Sequence, residues 1–221
     1  MHLLFLVLLY ASINLLEENV LLITLFACGG PSTSYTGHNT YEYVALDGTR
    51  TWKYTNANMG FDMVVEKLDT QKIDDVEIVT LEYSKFDPQE LLGAIKWSSD
   101  SLEGILIHGY ETTNGGMDFE EPVMIAEYRM VPGEVVTTTT DGITFTSTFE
   151  GVETCPNDWI TDGDDWSCLK FTVEDDGAAS TFPFVGEWWF ANTWGASRFV
   201  SPNGPFGSTS PWVLSQASWQ E

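Results

Sequence analysis

The run "VVTTTTDGITFTSTFEG", residues 135–151, is almost wholly β-forming sequence interrupted once, at Asp141-Gly142. β-Branched and aromatic side chains favour strands, and an Asp-Gly pair between two such runs favours a tight hairpin turn. The segment therefore predicts two antiparallel strands, with Val135, Thr137, Phe145 and Phe149 as anchors on the buried face. A chain that commits this strongly to one hairpin has to find further strands for it to pair with.

They are present. "YEYVALDGTRTWKY" sets Tyr41 and Tyr43, then Trp52 and Tyr54, at period two around Asp47-Gly48 and predicts a second hairpin. "VEIVTLEYSKF" alternates Val76, Ile78 and Thr80 with Glu77 and Glu82, and "EGILIHGYE" and "VMIAEYRM" are strand-sized aliphatic runs. "DPQELLGAI" is the single helix candidate, opening at Asp87 with Pro88 in the first turn and cut short by Gly93. Short strands joined by turns, with no fixed repeat period, predict a mainly β fold: a curved antiparallel sheet, open and barrel-like or a sandwich, formed as a single domain over residues 41–221.

The N-terminal part is different in kind. Leu3–Leu16 is an apolar stretch broken only by Ser12 and Asn14; Glu17, Glu18 and Asn19 follow, then a second apolar run, Val20–Ala27. A membrane-spanning helix needs about 20 apolar residues, and two glutamates in mid-span would cost several kcal/mol. A processed export signal needs a shorter run that ends at small residues. Leu25-Phe26-Ala27-Cys28-Gly29 resembles the lipobox of bacterial lipoproteins, with Leu three positions before Cys and Ala just before it. The resemblance implies that Cys28 receives a diacylglycerol and an added acyl chain after cleavage, a stable membrane anchor at about 0.8 kcal/mol per buried methylene. Phe26 is bulkier than the residue usual there, and no Lys or Arg precedes the apolar run, which places the expected translation start after Met1. The alternative is a thiol buried at the end of a core helix. Gly29, Gly30, Pro31, Ser32, Thr33 and Ser34 favour the anchor, because they read as a tether. The expected organisation is a signal segment at 1–27, a flexible tether at 28–40 and the β-domain at 41–221.

The chain carries 33 acidic and 9 basic residues, a formal charge of −24. Residues 1–27 hold two of the acids and no base, so the mature protein would stand at about −22. Such a charge repels phosphate backbones and anionic bilayer surfaces, which argues against nucleic acid as a partner and leaves the lipid as the means of reaching the membrane.

With Cys28 assigned to lipid, Cys155 and Cys168 remain. In an exported chain that pair predicts a disulfide across a loop worth about 3 kcal/mol. The bracketed "PNDWITDGDDWS" crowds Asp158, Asp162, Asp164 and Asp165 around Gly163, weak candidates for calcium. Ile160 and Leu169 fall where an EF-hand needs oxygen, so that motif fails and a solvated acidic turn is the simpler reading. No other cofactor is indicated.

"FPFVGEWWFANTWGASRFV" and "SPWVLSQASWQE" hold Trp188, Trp189, Trp194, Trp212 and Trp219. Core packing is the ordinary role of such rings. Exposed rings stack on sugars or line an apolar mouth, which makes Trp188, Trp189 and Trp194 candidate ligand-binding residues. Adjacent strand residues face opposite ways, so one of Trp188 and Trp189 is expected outside the core or under a loop. The succession of "LDGTRTWKY", "VPGEVVTTTTDGITFTSTFEGVET", "GEWWFANTWGASRFV" with Gly195, Arg198 and Val200, and a final "WVL" is similar to TapB-like domains, secreted bacterial β-domains of unknown function. The resemblance runs from Tyr41 to Leu214 and implies a curved antiparallel sheet with no catalytic residues to carry over.

The chain has no G-x-S-x-G, H-E-x-x-H or G-x-x-x-x-G-K segment. His108 is the one histidine in the body of the domain, and Glu120-Glu121 and Asp175-Asp176 are adjacent acids that a strand would point apart. The reading that results is a lipid-anchored bacterial envelope protein, facing the periplasm or exterior, whose β-domain binds or scaffolds without catalysis. Its expected partners are an apolar or glycan ligand or another envelope protein. The rival is a secreted hydrolase working through acidic residues with calcium assistance.

Overall fold

Asp141 and Gly142 both take left-handed backbone conformations, φ 52° and 76°, and so close the two-residue turn that their sequence predicts. The computed structural model describes residues 37–46, 49–155, 166–177 and 181–220. Cys28, segment 1–27, Asp47-Gly48 and Asp158, Asp162, Asp164 and Asp165 lie outside the described residues.

The strands are β1 His38–Asn39, β2 Thr49–Thr55, β3 Met63–Ile73, β4 Val76–Lys85, β5 Glu90–Asp100, β6 Gly104–Thr112 and β7 Gly115–Ala126, then β8 Arg129–Met130, β9 Val135–Thr140, β10 Ile143–Thr154, β11 Ser167–Asp175, β12 Gly186–Ala191, β13 Gly195–Val200 and β14 Trp212–Gln220. Twelve of them form one antiparallel sheet, in the order β7-β6-β5-β4-β3-β2-β14-β13-β12-β11-β10-β9, while β1 pairs with β8. Every junction but one joins strands consecutive in sequence. The exception is β2 with β14, where Tyr54 lies opposite Leu214 and Trp52 opposite Ala217.

The sheet curls until its two ends, β7 and β9, meet. They are joined by side chains rather than by a backbone ladder: Met124 N donates to Thr138 Oγ1 at 3.0 Å, and Glu121 N to Thr140 Oγ1 at 3.1 Å. The outcome is a nearly closed barrel in which two edge donors are met by threonine hydroxyls and a third, Glu120 N, by Asp141 Oδ2.

A twelve-stranded barrel is too wide for aliphatic side chains alone to fill. Rings fill this one. Trp188 stacks on Phe199 at 4.7 Å between centroids, and Phe149 on Phe171 at 5.0 Å. Two connections also fold inward: Phe182 and Phe184 between β11 and β12, and Phe206 between β13 and β14, are buried in the same core. Wall indoles hold these segments, since Trp188 Nε1 donates to Phe184 O at 2.7 Å and Trp212 Nε1 to Phe206 O at 2.9 Å.

Five local expectations are corrected. The helix predicted from Asp87 is instead a turn containing a cis Asp87-Pro88 bond, followed by β5, because Leu92, Ile95 and Trp97 complete the core between β4 and β6. The hairpin predicted between Tyr41 and Tyr54 does not form. Tyr41–Tyr43 is a short 3-10 turn, and β2 pairs with β3 and β14. In β9 the inward residue is Val136, whereas Val135 and Thr137 are exposed; Phe145 and Phe149 are buried as expected. In β4 the barrel core takes Val79, Leu81 and Tyr83; of the expected set Val76, Ile78 and Thr80, Ile78 is buried and the other two are half-buried. Where two β-formers are adjacent, alternation alone does not fix which phase points inward. The last residues of the segment read as a tether are also folded: His38 and Asn39 form β1, and Thr40 is fully buried with its hydroxyl on Glu127 O.

Candidate functional site

Alternation along β12 sends Trp188 into the barrel and Trp189 out of it. Cys155, Cys168, Trp189 and Ala191 form a second apolar cluster on the outer face, with half-buried Trp166, Trp194 and Val200 packed against it. The register explains the grouping. Trp189 lies between Lys170 of β11 and Arg198 of β13, and Cys168 lies opposite Ala191. The disulfide predicted from the sequence is formed: Cys155 and Cys168 are bonded, their Cα atoms 4.9 Å apart, joining the end of β10 to the start of β11.

Trp189 is only 4% exposed although it faces outward. The Lys170 ammonium and the Arg198 guanidinium approach its ring at 4.9 and 4.5 Å from the centroid, and their aliphatic stems cover the indole. Its Nε1 donates to Glu153 at 2.9 Å, and Lys170 is paired with Glu187 at 3.3 Å. Trp194 occupies the turn between β12 and β13, 5.1 Å from the ring of Trp166, and its carbonyl accepts from Trp52 Nε1 at 2.8 Å. Of the three tryptophans singled out from sequence, Trp189 and Trp194 are thus brought together outside the barrel. Trp188, 1% exposed, is held inside it.

The barrel interior offers little room. An apolar cavity of about 30 Å³ lies beside Trp52, Tyr54, Tyr83, Trp97 and Trp188, the space of a water molecule or two rather than of an acyl chain. Burial pushes the Tyr54 and Tyr83 hydroxyls above their ordinary pKa, so both stay neutral. At one end of the barrel a wider groove of about 580 Å³ runs between the β6–β7 hairpin and the β13–β14 connection, lined by Tyr110, Asn114, Thr181 and Asn203 among other uncharged residues.

One polar pair is not legible from local sequence. Ser98 Oγ lies 2.7 Å from His108 Nε2, with Ser98 buried and His108 half-buried on adjacent strands. Burial lowers the His108 pKa from its ordinary value. The adjacent acids are engaged separately: Asp175 Oδ1 accepts from Gly177 N at 2.9 Å, and Asp176 Oδ1 from Thr144 N at 3.0 Å. Among the described residues no three His, Cys, Asp or Glu side chains group as metal ligands, and no helix is long and apolar enough to cross a membrane.

No family model matches the chain, and no curated protein matches it. Among solved structures it is similar to one described as "a putative lipoprotein from Parabacteroides distasonis ATCC 8503", 12% identical, covering 80% of this chain and 98% of that one, with a TM-score of 0.35.

Proposed function

We propose that the chain is a lipid-anchored protein of a bacterial envelope, acylated at Cys28, whose β-domain binds glycans or scaffolds at the periplasmic or outer surface without catalysis. The observation that carries the binding role is the outer-face cluster of Trp166, Trp189 and Trp194. It lies outside a core already filled by other rings, and the half-buried indoles of Trp166 and Trp194, backed by the buried Trp189, suit the apolar faces of sugars. Support for the anchor comes from Leu25-Phe26-Ala27-Cys28 and the Gly-Pro-Ser tract after it. The Cys155–Cys168 bond fits the oxidising compartment that export implies.

Acyl-chain labelling in a bacterial host, read with the mature mass, tests the anchor. Native protein should carry lipid and Cys28→Ala should not; a full-length, unlipidated native chain would overturn it. Glycan-array binding tests the domain's role: Trp194→Ala should lose the glycans that the native protein retains, and equal binding by both would remove the aromatic site.

A further inference from the structure

We infer that the outer aromatic face takes an acidic glycan, one bearing carboxylates, with Arg198 as the group that reads the charge. The inference deepens the glycan-binding reading above and rests on it.

The argument starts from how this chain uses its cations. Each of its six lysines, Lys53, Lys67, Lys72, Lys85, Lys96 and Lys170, lies within salt-bridge distance of a carboxylate. Arg129 donates to Asn39 Oδ1, and Arg50 to the carbonyl of Thr193. Arg198 differs. It has no carboxylate within salt-bridge distance among the described residues, and its buried Nε has no hydrogen-bond partner there. Arg129 also has no carboxylate within that distance; what sets Arg198 apart is that among the described residues its side chain has neither an ion pair nor a hydrogen bond, and lies over the Trp189 ring instead.

Packing holds this guanidinium in place. It lies over the Trp189 ring, and that ring is fixed from its edge by Glu153 and approached by Lys170, which Glu187 already neutralises. A stacked arginine loses little further freedom on binding and keeps its planar fork of donors for a carboxylate. The glycan class follows from what lies alongside. Trp194 sits just before β13, and the three steps from Gly195 to Arg198 cover about 10 Å, the reach of a short oligosaccharide. One sugar ring can lie against the Trp194 and Trp166 indoles while the carboxylate of another meets Arg198. The net charge of the chain opposes anions at long range, but salt confines that effect to about 8 Å, and within that range the exposed side of Arg198 is the positive element.

The test titrates the purified full chain with tetragalacturonate, with maltotetraose as the neutral control and tetraglutamate as the acidic peptide control. Tryptophan fluorescence and the indole N–H resonances of Trp166, Trp189 and Trp194 report binding. Tetragalacturonate should bind best and shift Trp194 and Trp189. Arg198→Gln should weaken it about tenfold, the loss of one charge-assisted hydrogen-bonded contact, while leaving maltotetraose unchanged, and Arg198→Lys should recover part of the loss. Equal tetragalacturonate binding by native protein and Arg198→Gln overturns the role of Arg198 but leaves the aromatic site standing. Binding of maltotetraose alone overturns the acidic class, stronger binding of tetraglutamate overturns the glycan class, and binding of none of the three overturns the site itself. An Arg198→Gln protein that fails to fold transfers the decision to Arg198→Lys together with the salt dependence of native binding, which must fall with added salt.

Discussion

Trp188 and Trp189, neighbours on β12, donate their indole N–H groups to opposite sides of the sheet: Trp188 to Phe184 O inside the barrel at 2.7 Å, Trp189 to the Glu153 carboxylate outside it at 2.9 Å. The two rings therefore do different work. Trp188 stacks between Phe190 and Phe199 and ties down an inward-folded connection, so Trp188→Ala should cost about 3–5 kcal/mol. Trp189→Ala removes an outer-face ring covered by the Lys170 and Arg198 side chains rather than by the barrel core and should cost less, about 2 kcal/mol. Urea denaturation of both variants checks the order; equal losses would mean that the outer cluster is as much a part of the core as the barrel interior.

The Cys155–Cys168 bond closes a loop with a sequence separation of 13. In the chain-entropy account a loop of this length is worth about 3 kcal/mol, chiefly by restricting the unfolded chain. Cys155→Ala/Cys168→Ala should lower stability by about that amount, measured by guanidinium denaturation against the oxidised native protein. Trp189 belongs to the same cluster, so its fluorescence should also change in the double variant. A loss well under about 1 kcal/mol would show that the unfolded chain is already restricted without the bond.

Much of the fold could be read from short-range signals. Asp141-Gly142 marked the β9–β10 turn, the strand-sized runs marked β4, β6 and β7, and the cysteine pair marked the disulfide. Failures came where distant pairing decides. The helix signals at Asp87 and Pro88 are local, whereas β5 is held by β4 and β6 on either side. The Asp47-Gly48 signal promised a partner just upstream, but β2 takes β14 from the far end of the chain, a pairing that no window of sequence contains. The outer site was half legible. Two adjacent tryptophans on a strand must point apart, which separates Trp188 from Trp189. That Lys170 and Arg198 flank Trp189 depends on the register of three strands, and the Ser98–His108 pair depends on a β5–β6 register with a bulge.

The meeting of β7 and β9 supplies a third prediction. Thr138 and Thr140 accept the N–H groups of Met124 and Glu121 through their hydroxyls, in place of the ladder found elsewhere in the sheet. Valine keeps the shape and removes the acceptor. Thr138→Val/Thr140→Val should leave both donors unsatisfied at about 1 kcal/mol each and loosen the seam ahead of the rest of the barrel. Amide hydrogen exchange at Glu121 and Met124 should accelerate while Phe171 in β11 stays protected. Uniform acceleration would mean that the barrel opens only as a whole.

His108 gives the chain a pH response whose direction follows from its surroundings. Burial lowers its pKa from the ordinary 6.5, and its Nε2 lies 2.7 Å from the hydroxyl of buried Ser98. The unfolded chain takes up this proton near pH 6.5, the folded chain only at a lower pH. Between those two values the unfolded state holds more protons, so stability rises with pH. The contribution is complete above about pH 6.5 and is lost as pH falls from there to the folded-state pKa. Water reaches the half-buried ring and keeps the slope shallow. Carboxylates titrate mostly below this window, which leaves the interval from pH 7 to 5 to the imidazole. His108→Gln should flatten the pH dependence of the urea midpoint across that interval while the native protein loses stability on the acid side. Parallel curves for the two proteins would show that the imidazole takes up its proton as readily folded as unfolded.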